Sequence, residues 1–420
     1  MDTLAQPNSV VRISGCEVCG GAELVPALDL GSHPLCDDLI AIGEERQSAE
    51  YPISISYCRT CKTAHQQYQV PKRILFPESY HYRARHTADV LTGMDQLVQS
   101  CDGWLGDLRG VRVLDIGCND GSLLTKFAQR GAVTFGIEPT GAATDAEANG
   151  HVVYQDYLTP QVAERFLADH PRPQIITFTN VFAHIEDLRS VLGAVKALMA
   201  PETLLVVENH YLGAVLERYQ FDTFYHEHPR TYSLTSFKYV AEALGARIVR
   251  CEFPARYGGN IRVMMQIGAV AGAAEDAGLA QHLGAEESFE RQLRDMAGCI
   301  PAWRSAKRAE LEGLVAEHGP LPGKAFPGRA AILVKLLGLD DTMISAVYEK
   351  PGSMKVGHYL PGTRIPIRSD EEFDLQVRKE GPLLNLAWHI SAEINRYMRG
   401  RGFTGPIVDI FRPEELGAGR

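Results

Sequence analysis

The stretch Val111-Arg-Val-Leu-Asp-Ile-Gly-Cys-Asn-Asp-Gly121, followed by Ser122 to Gln129, decides the fold. An apolar run ends in glycines and a helical pattern restarts after them, which spells strand, turn and helix. In such a turn the glycines let backbone approach a ligand and the first helical amides face it, so the segment could cradle a nucleotide-like cofactor; a plain tight turn is the bland alternative. The spacing is not G-x-G-x-x-G, so no dinucleotide fingerprint is present.

Working outward, further strands are expected at Val133 to Ile137, Gln174 to Thr179 and Thr203 to Glu208, separated by helical stretches. That alternation predicts a doubly wound parallel α/β sheet. Glu138 ends the strand after the turn, where a carboxylate can accept hydrogen bonds from both hydroxyls of a ribose. Asp156 lies beyond one more strand and could meet an adenine amino group, although a surface Asp in a turn fits equally. Ile175-Ile-Thr-Phe-Thr-Asn180 runs into Val-Phe-Ala-His184, which puts Asn180 and His184 at the carboxyl ends of strands, where open α/β sheets bind ligands. His184 suits proton chemistry, with a half-buried histidine bonded to a carbonyl as its alternative.

A strand at Ile261 to Ile267 follows Gly258 and Gly259, and residues 271–318 carry Ala, Leu, Glu and Arg at helical spacing. Gly319-Pro-Leu-Pro-Gly323 interrupts helix and precedes a second α/β stretch with Ala330 to Leu337 and Ile344 to Tyr348. The expected division is a small module over 1–75, an α/β domain over 76–270, connecting helices over 271–318 and an α/β domain over 319–420.

The first of these parts holds Cys16-x-x-Cys19 and Cys58-x-x-Cys61 around an alternating strand pattern, Tyr51 to Tyr57. Each pair fits a turn that aims two thiolates at one tetrahedral ion, so the four predict a closed structural zinc site with no open position for catalysis. Cys36, Cys101, Cys118, Cys251 and Cys299 lie alone and read as small apolar residues.

At 420 residues the chain is long for a single core, and 45% hydrophobic with 22% charged residues is ordinary for folded domains, which excludes a disordered or collagen-like chain. Lys plus Arg number 42 against 52 Asp plus Glu, a net of -10, so nucleic acid is not expected as a main partner, while a local anion site remains open. With no apolar run of about 18 residues and no apolar signal core in Met1 to Gly15, no membrane partner is expected and a cytoplasmic protein is. The oligomeric state is left open, a monomer included.

The densest chemical cluster is Phe221-Asp-Thr-Phe-Tyr225-His226-Glu227-His228. Two histidines, a tyrosine and a carboxylate this close suit acid/base work. A metal reading stays open for His-Glu-His, without partners at the spacing of a zinc protease motif.

These residues carry a resemblance. Together with Tyr80-x-Tyr82, Leu114 to Gly121, Asn180 to His184, Gly258-Gly-Asn-Ile-Arg262 and Pro361-Gly-Thr-Arg-Ile-Pro-Ile367, the chain resembles three-domain sugar C-methyltransferases that act on nucleotide-linked 4-keto-deoxysugars. The resemblance implies an N-terminal zinc-binding module, a central class I methyltransferase domain of Rossmann-like fold and a C-terminal Rossmann-like α/β domain. It implies S-adenosylmethionine (SAM) held by Asp115, Gly117, Asn119, Asp120, Gly121, Glu138, Asp156 and Asn180, and a sugar nucleotide met by Arg329, Lys355, Tyr359 and Asn260. In such enzymes a base removes the proton beside the keto carbon and the enolate takes the methyl group. By position His228 is the base, Tyr225 and His184 donors to the oxyanion, Glu227 the group orienting a histidine, and Tyr80 or Tyr82 the acid. A SAM-dependent O- or N-methyltransferase is the alternative reading, and a non-enzymatic interaction protein a third.

Three departures stand out. Arg83-Ala-Arg85 replaces a serine pair, adding charge near the expected substrate mouth; Ala325-Phe-Pro-Gly-Arg329-Ala replaces a Gly-Ala-Lys-Gly type loop, keeping a cation but altering the backbone; and Pro229-Arg230 follows the base where apolar and small residues are usual.

Overall fold

A computed structural model describes residues 10–76, 83–86, 88–268 and 277–417. Tyr80 and Tyr82 lie outside the described residues.

Strands that are apolar on both faces belong inside a parallel sheet. Arg112–Ile116 (β1), Val133–Ile137 (β2), Val152–Tyr154 (β3), Ile175–Thr179 (β4) and Leu204–His210 (β5) pair in parallel. Ala246–Glu252 (β6) and Asn260–Ile267 (β7) complete seven strands in the order 3-2-1-4-5-7-6, with β7 antiparallel to both neighbours. Successive residues face opposite sides. Val113, Ile175, Leu204 and Val206 therefore pack with Leu97, Val98 and Phe127 of the helices Ala88–Leu105 and Ser122–Ala128, while Leu114, Ile176, Phe178 and Val207 meet Phe166, Val195 and Phe237 on the other face. The central domain has the class I methyltransferase fold, a Rossmann-like doubly wound sheet. Its strand order turns back between β1 and β4, and the crevice beyond their carboxyl ends is where such sheets bind ligands.

The N-terminal sheet pairs Leu24–Pro34 with Glu50–Cys58, then Ala64–Gln66, then Arg230–Thr231. Its last strand comes from the segment directly after His228, so the cysteine module and the His-rich cluster share one sheet. Pro229 O accepts from Gln66 N at 2.8 Å, and Arg230 lies opposite His65.

The long helix Phe289–His318 ends at Gly319 and leads into a five-stranded parallel sheet. Its strands run Ile367–Ser369, Ile344–Glu349, Leu321–Lys324, Leu383–Asn385 and Ile407–Asp409 in spatial order, again a Rossmann-like arrangement. The Gly319 to Gly323 stretch, expected only as a helix break, opens the middle strand itself. A register shift at Pro322 accommodates the proline that a regular ladder would reject.

Candidate active site

One cavity of about 1070 Å³ runs from the β1 turn to the C-terminal sheet, and all three parts of the chain line it. Its floor is the Gly117 turn. Gly117 has φ +70°, and a side chain there would run into Val181. Asn119 N donates to Glu138 Oε2 at 2.9 Å, and Thr140 N and Oγ1 donate to Oε1 at 2.9 and 2.6 Å. A carboxylate has about four acceptor sites, so Glu138 keeps capacity for a further donor while its position is held by three. Asp115, opposite Thr177 in the β1–β4 ladder, accepts from Thr177 Oγ1 at 2.6 Å; burial pushes its carboxyl up to about 7. Asp156 and Asn180 line the same floor, and Asn180 takes a φ of +56°.

Not every expected contact reaches the cavity. Asp120 and Gly121 stand behind its lining: Asp120 accepts from Ser122 N, Ser122 Oγ and Arg85 N, and so shapes the turn from beneath. Asn260 donates to Glu208 Oε1 at 3.1 Å and Asn180 Oδ1 at 3.3 Å. With Arg256 and Arg262 also on Glu208, the Gly258-to-Arg262 motif braces Asn180 from the sheet side, and Asn260 does not line the cavity. Tyr359 sits in a two-stranded ribbon with Ile40–Ala41, its hydroxyl accepting from Gly43 N at 3.3 Å, away from the cavity lining.

Three histidine rings gather in the middle of the cavity. His228 lies 4.9 Å from His184 and 5.4 Å from His210 between ring centroids, with the Tyr225 ring 4.2 Å away. His228 Nδ1 meets Thr223 O at 3.1 Å and His184 Nδ1 meets Glu227 O at 2.7 Å. A carbonyl oxygen only accepts, so both Nδ1 atoms carry the proton and both Nε2 atoms keep a lone pair when the rings are neutral. Burial holds His228 well below the usual histidine range, reinforced by His184 and His210, and burial also lowers His184 and takes His210 to about 3. These rings are neutral at ordinary pH, the state a general base needs.

His226 points elsewhere. Its Nε2 bonds Tyr51 O at 2.9 Å in the N-terminal sheet. Glu227 holds His184 through its main-chain carbonyl, and its carboxyl faces the cavity, where burial and then Asp37 raise its pKa while Lys355 opposes them. Burial, with Glu227 beside it, holds Tyr225 protonated, so it is a donor.

At the far end Lys355 lines the wall, its Nζ donating to Phe326 O at 2.8 Å. Arg329 also lines the cavity, but its guanidinium is engaged. It donates to Asp222 Oδ2 and Oδ1 at 2.8 and 2.5 Å and to Gln220 Oε1 at 3.3 Å from two nitrogens. A cation already paired with a buried carboxylate is a poor phosphate ligand, and the expectation of Arg329 as the diphosphate cation does not match this geometry. The Arg83-Ala-Arg85 segment likewise turns toward the Gly117–Gly121 turn: Ala84 N donates to Asn119 Oδ1 at 3.0 Å and Arg83 Nε to Asp145 Oδ2 at 2.6 Å.

Sequence reasoning missed His210, His389, Cys36 and Asp37, all of which line the cavity. The rule that selects Asn180 and His184 at the end of one strand also selects Asn209 and His210 at the end of the next, so His210 was within reach. Cys36 and Asp37 follow a strand that comes close only through the fold; burial pushes the Cys36 thiol far up, in keeping with an inert apolar residue.

Away from the cavity the Sγ atoms of Cys16, Cys19, Cys58 and Cys61 lie within 4.8 Å of one another, with Cys16–Cys61 at 3.3 Å and Cys19–Cys58 at 3.6 Å. Zinc–sulfur bonds of about 2.3 Å at tetrahedral angles put sulfurs about 3.8 Å apart, so these four fit the ion. His65 Nε2 at 3.3 Å from Cys16 and Thr63 Oγ1 at 3.0 Å from Cys61 are placed to donate to thiolates.

Family models match the chain in three stretches, the last of which begins inside the central sheet and runs through the connecting helices into the C-terminal sheet. Residues 16–76 match a putative zinc binding domain, 83–250 a methyltransferase domain and 255–405 a C-methyltransferase C-terminal domain. The C-methyltransferase NovU of Streptomyces niveus is 31% identical over 395 residues, covering 92% of this chain and 93% of NovU. A ubiquinone biosynthesis O-methyltransferase of Rhodopseudomonas palustris (strain HaA2) is 35% identical over 106 residues, 24% of this chain and 41% of that enzyme. Among solved structures, magnesium protoporphyrin IX methyltransferase ChlM of Synechocystis PCC 6803 with bound SAH aligns at 18% identity and a TM-score of 0.35, over 43% of this chain and 86% of that one.

Proposed function

The chain belongs to the family of the C-methyltransferase NovU, a SAM-dependent methyltransferase family with a zinc-binding module, and on that premise we propose that it adds a methyl branch to the carbon beside the keto group of a nucleotide-linked 4-keto-deoxysugar. The observation that carries this reading is the joining, in one cavity, of the Gly117 turn with three buried, neutral histidines, two of which, His184 and His228, have their tautomers set by main-chain carbonyls. Carbon becomes a nucleophile only after losing a proton, and a buried neutral His228 with its Nε2 lone pair free is suited to take it.

As the proton leaves, negative charge grows on the keto oxygen. Protonated Tyr225 is the nearby donor that can meet it, whereas neutral His184, its one proton held by Glu227 O, has none left to give and serves to pack the cluster. Glu138, Asp156 and the Gly117–Asn119 backbone hold SAM in this reading, and SAM supplies the electrophilic methyl group. A cavity of about 1070 Å³ lies at the upper end of the range of about 300–1,000 Å³ usual for small-molecule sites, in keeping with large ligands. With Arg329 engaged by Asp222, Lys355 and Lys350 are the cations of the C-terminal wall left to face a diphosphate.

Incubation with methyl-13C SAM and a panel of nucleoside diphosphate 4-keto-6-deoxysugars, read by carbon NMR, tests the reading. The expected product carries the label on a ring carbon with carbon–carbon coupling. A methyl on oxygen or nitrogen, or no transfer to any keto sugar, contradicts it.

A further inference from the structure

We infer that Arg329 and Trp388, from the C-terminal domain, are positioning residues that set His228 through their grip on Asp222. This rests on the reading of His228 as the base and adds the device that aims it.

Asp222 is fully buried at the centre of the short turn Phe221–Thr223. Arg329 clasps both its oxygens, and Trp388 Nε1 donates to Oδ2 at 2.8 Å while the indole lies 5.1 Å from the guanidinium carbon. The same guanidinium reaches Gln220 Oε1, the residue that opens the turn. Gln220 O in turn accepts from Thr223 N at 3.0 Å and Thr223 Oγ1 at 2.7 Å. The next link is the base, because Thr223 O accepts the His228 Nδ1 proton. The hydrogen-bonded path from Arg329 and Trp388 to the imidazole is therefore one turn long. If the grip loosens, Thr223 O can drift, and with it the tautomer that leaves Nε2 unprotonated.

The groups facing His228 from the surrounding elements are His184, His210, Tyr225 and Arg329. Arg329 is the one permanent charge among them. Removing it leaves the buried Asp222 carboxylate uncompensated one residue from the carbonyl that holds His228, which makes protonation of the ring easier.

The test is exchange of solvent deuterium into the keto sugar, with S-adenosylhomocysteine bound in place of a methyl donor, followed against pH at saturating sugar. Wild type is compared with R329K, R329M, W388F and H228A, and SAM binding and melting curves are recorded for each. R329M is expected to slow exchange about tenfold or more and to move its acid limb to higher pH. R329K is expected to restore part of both effects, and W388F, which removes one donor while keeping the ring, to show a smaller shift in the same direction. Wild-type rate and acid limb in both R329M and W388F, with H228A inactive, overturn the inference alone; so does a loss in R329M confined to the affinity for free nucleoside diphosphate, which would make Arg329 a phosphate ligand. Undiminished exchange in H228A overturns the base reading itself.

Discussion

His226 and His228 are two positions apart and have opposite fates, one bonded to the N-terminal sheet at Tyr51 and the other facing the cavity. The sequence shows both as candidates, and only the turn Phe221–Thr223 and the strand Arg230–Thr231 on either side decide which one turns inward. Gly117 is a more legible residue, because a turn between strand and helix asks for a positive φ. Gly117→Ala is expected to add about 1–2 kcal/mol of backbone strain on top of the collision with Val181. SAM binding measured by calorimetry should weaken about tenfold with the fold retained by circular dichroism; unchanged affinity would remove the turn from the cofactor site. Where residue-level reading failed, the cause was distance along the chain. Arg329 looks like a phosphate ligand until Asp222, more than a hundred positions earlier, is brought against it.

At the scale of elements, the strands β1, β2, β4 and β5 lie where apolar runs and turn signals place them, since parallel strands buried on both faces leave an unambiguous pattern. β6 escaped notice because it is a half-exposed edge strand whose charges, Arg247, Arg250 and Glu252, fall out of phase across a register shift and break the alternating pattern. The two-residue strand Arg230–Thr231 could not be read at all. Its reason for existing is nonlocal: Arg230 is fully buried, donates to Glu17 Oε2 at 2.5 Å beside the first cysteine pair, bonds the Tyr232 hydroxyl, and caps Ile185 O in the loop after His184. What reads in sequence as a disturbed loop beside the base is the tie between zinc module, base and His184. Arg230→Met is expected to cost about 2–3 kcal/mol, reduced from the usual price of a broken buried pair because Glu17 is partly exposed, as measured by urea unfolding. Removing zinc, or Cys58→Ser, is expected to abolish methyl transfer and to raise hydrogen exchange over residues 221–231 although the ion lies outside the cavity. Full activity in metal-free protein would show that the module does not support the site.

Four buried imidazoles, His184, His210, His228 and His389, line one cavity, and His226 is buried against the N-terminal sheet. Burial lowers His184, His226, His228, His210 and His389, the last two to about 3 and His226 to about 4. In the unfolded chain each binds a proton below about 6.5, so between that pH and the folded value the unfolded state holds more protons and stability rises with pH. Stability is thus fully present above about pH 6.5 and falls on acidification, by up to about 1.4 kcal/mol per pH unit for each histidine. Asp115, raised to about 7, and Glu227, also raised, act with the opposite sign and offset part of the slope. Calorimetry at pH 8, 6.5 and 5 should show little change over the first interval and a marked drop in Tm over the second; a flat profile to pH 5 would mean that these rings are solvated and ionisable.

The central claim is that carbon is acidified here by His228 before methyl transfer. It is tested most directly by mass spectrometry of a nucleotide-linked 4-keto-6-deoxysugar held in deuterated water with wild-type enzyme and S-adenosylhomocysteine, beside the same incubation with His228→Ala. The expected result is uptake of one deuteron by the wild type and none by the variant, with SAM affinity equal in the two. Methyl transfer by a wild type that shows no exchange at all, or exchange that persists in His228→Ala, would contradict it.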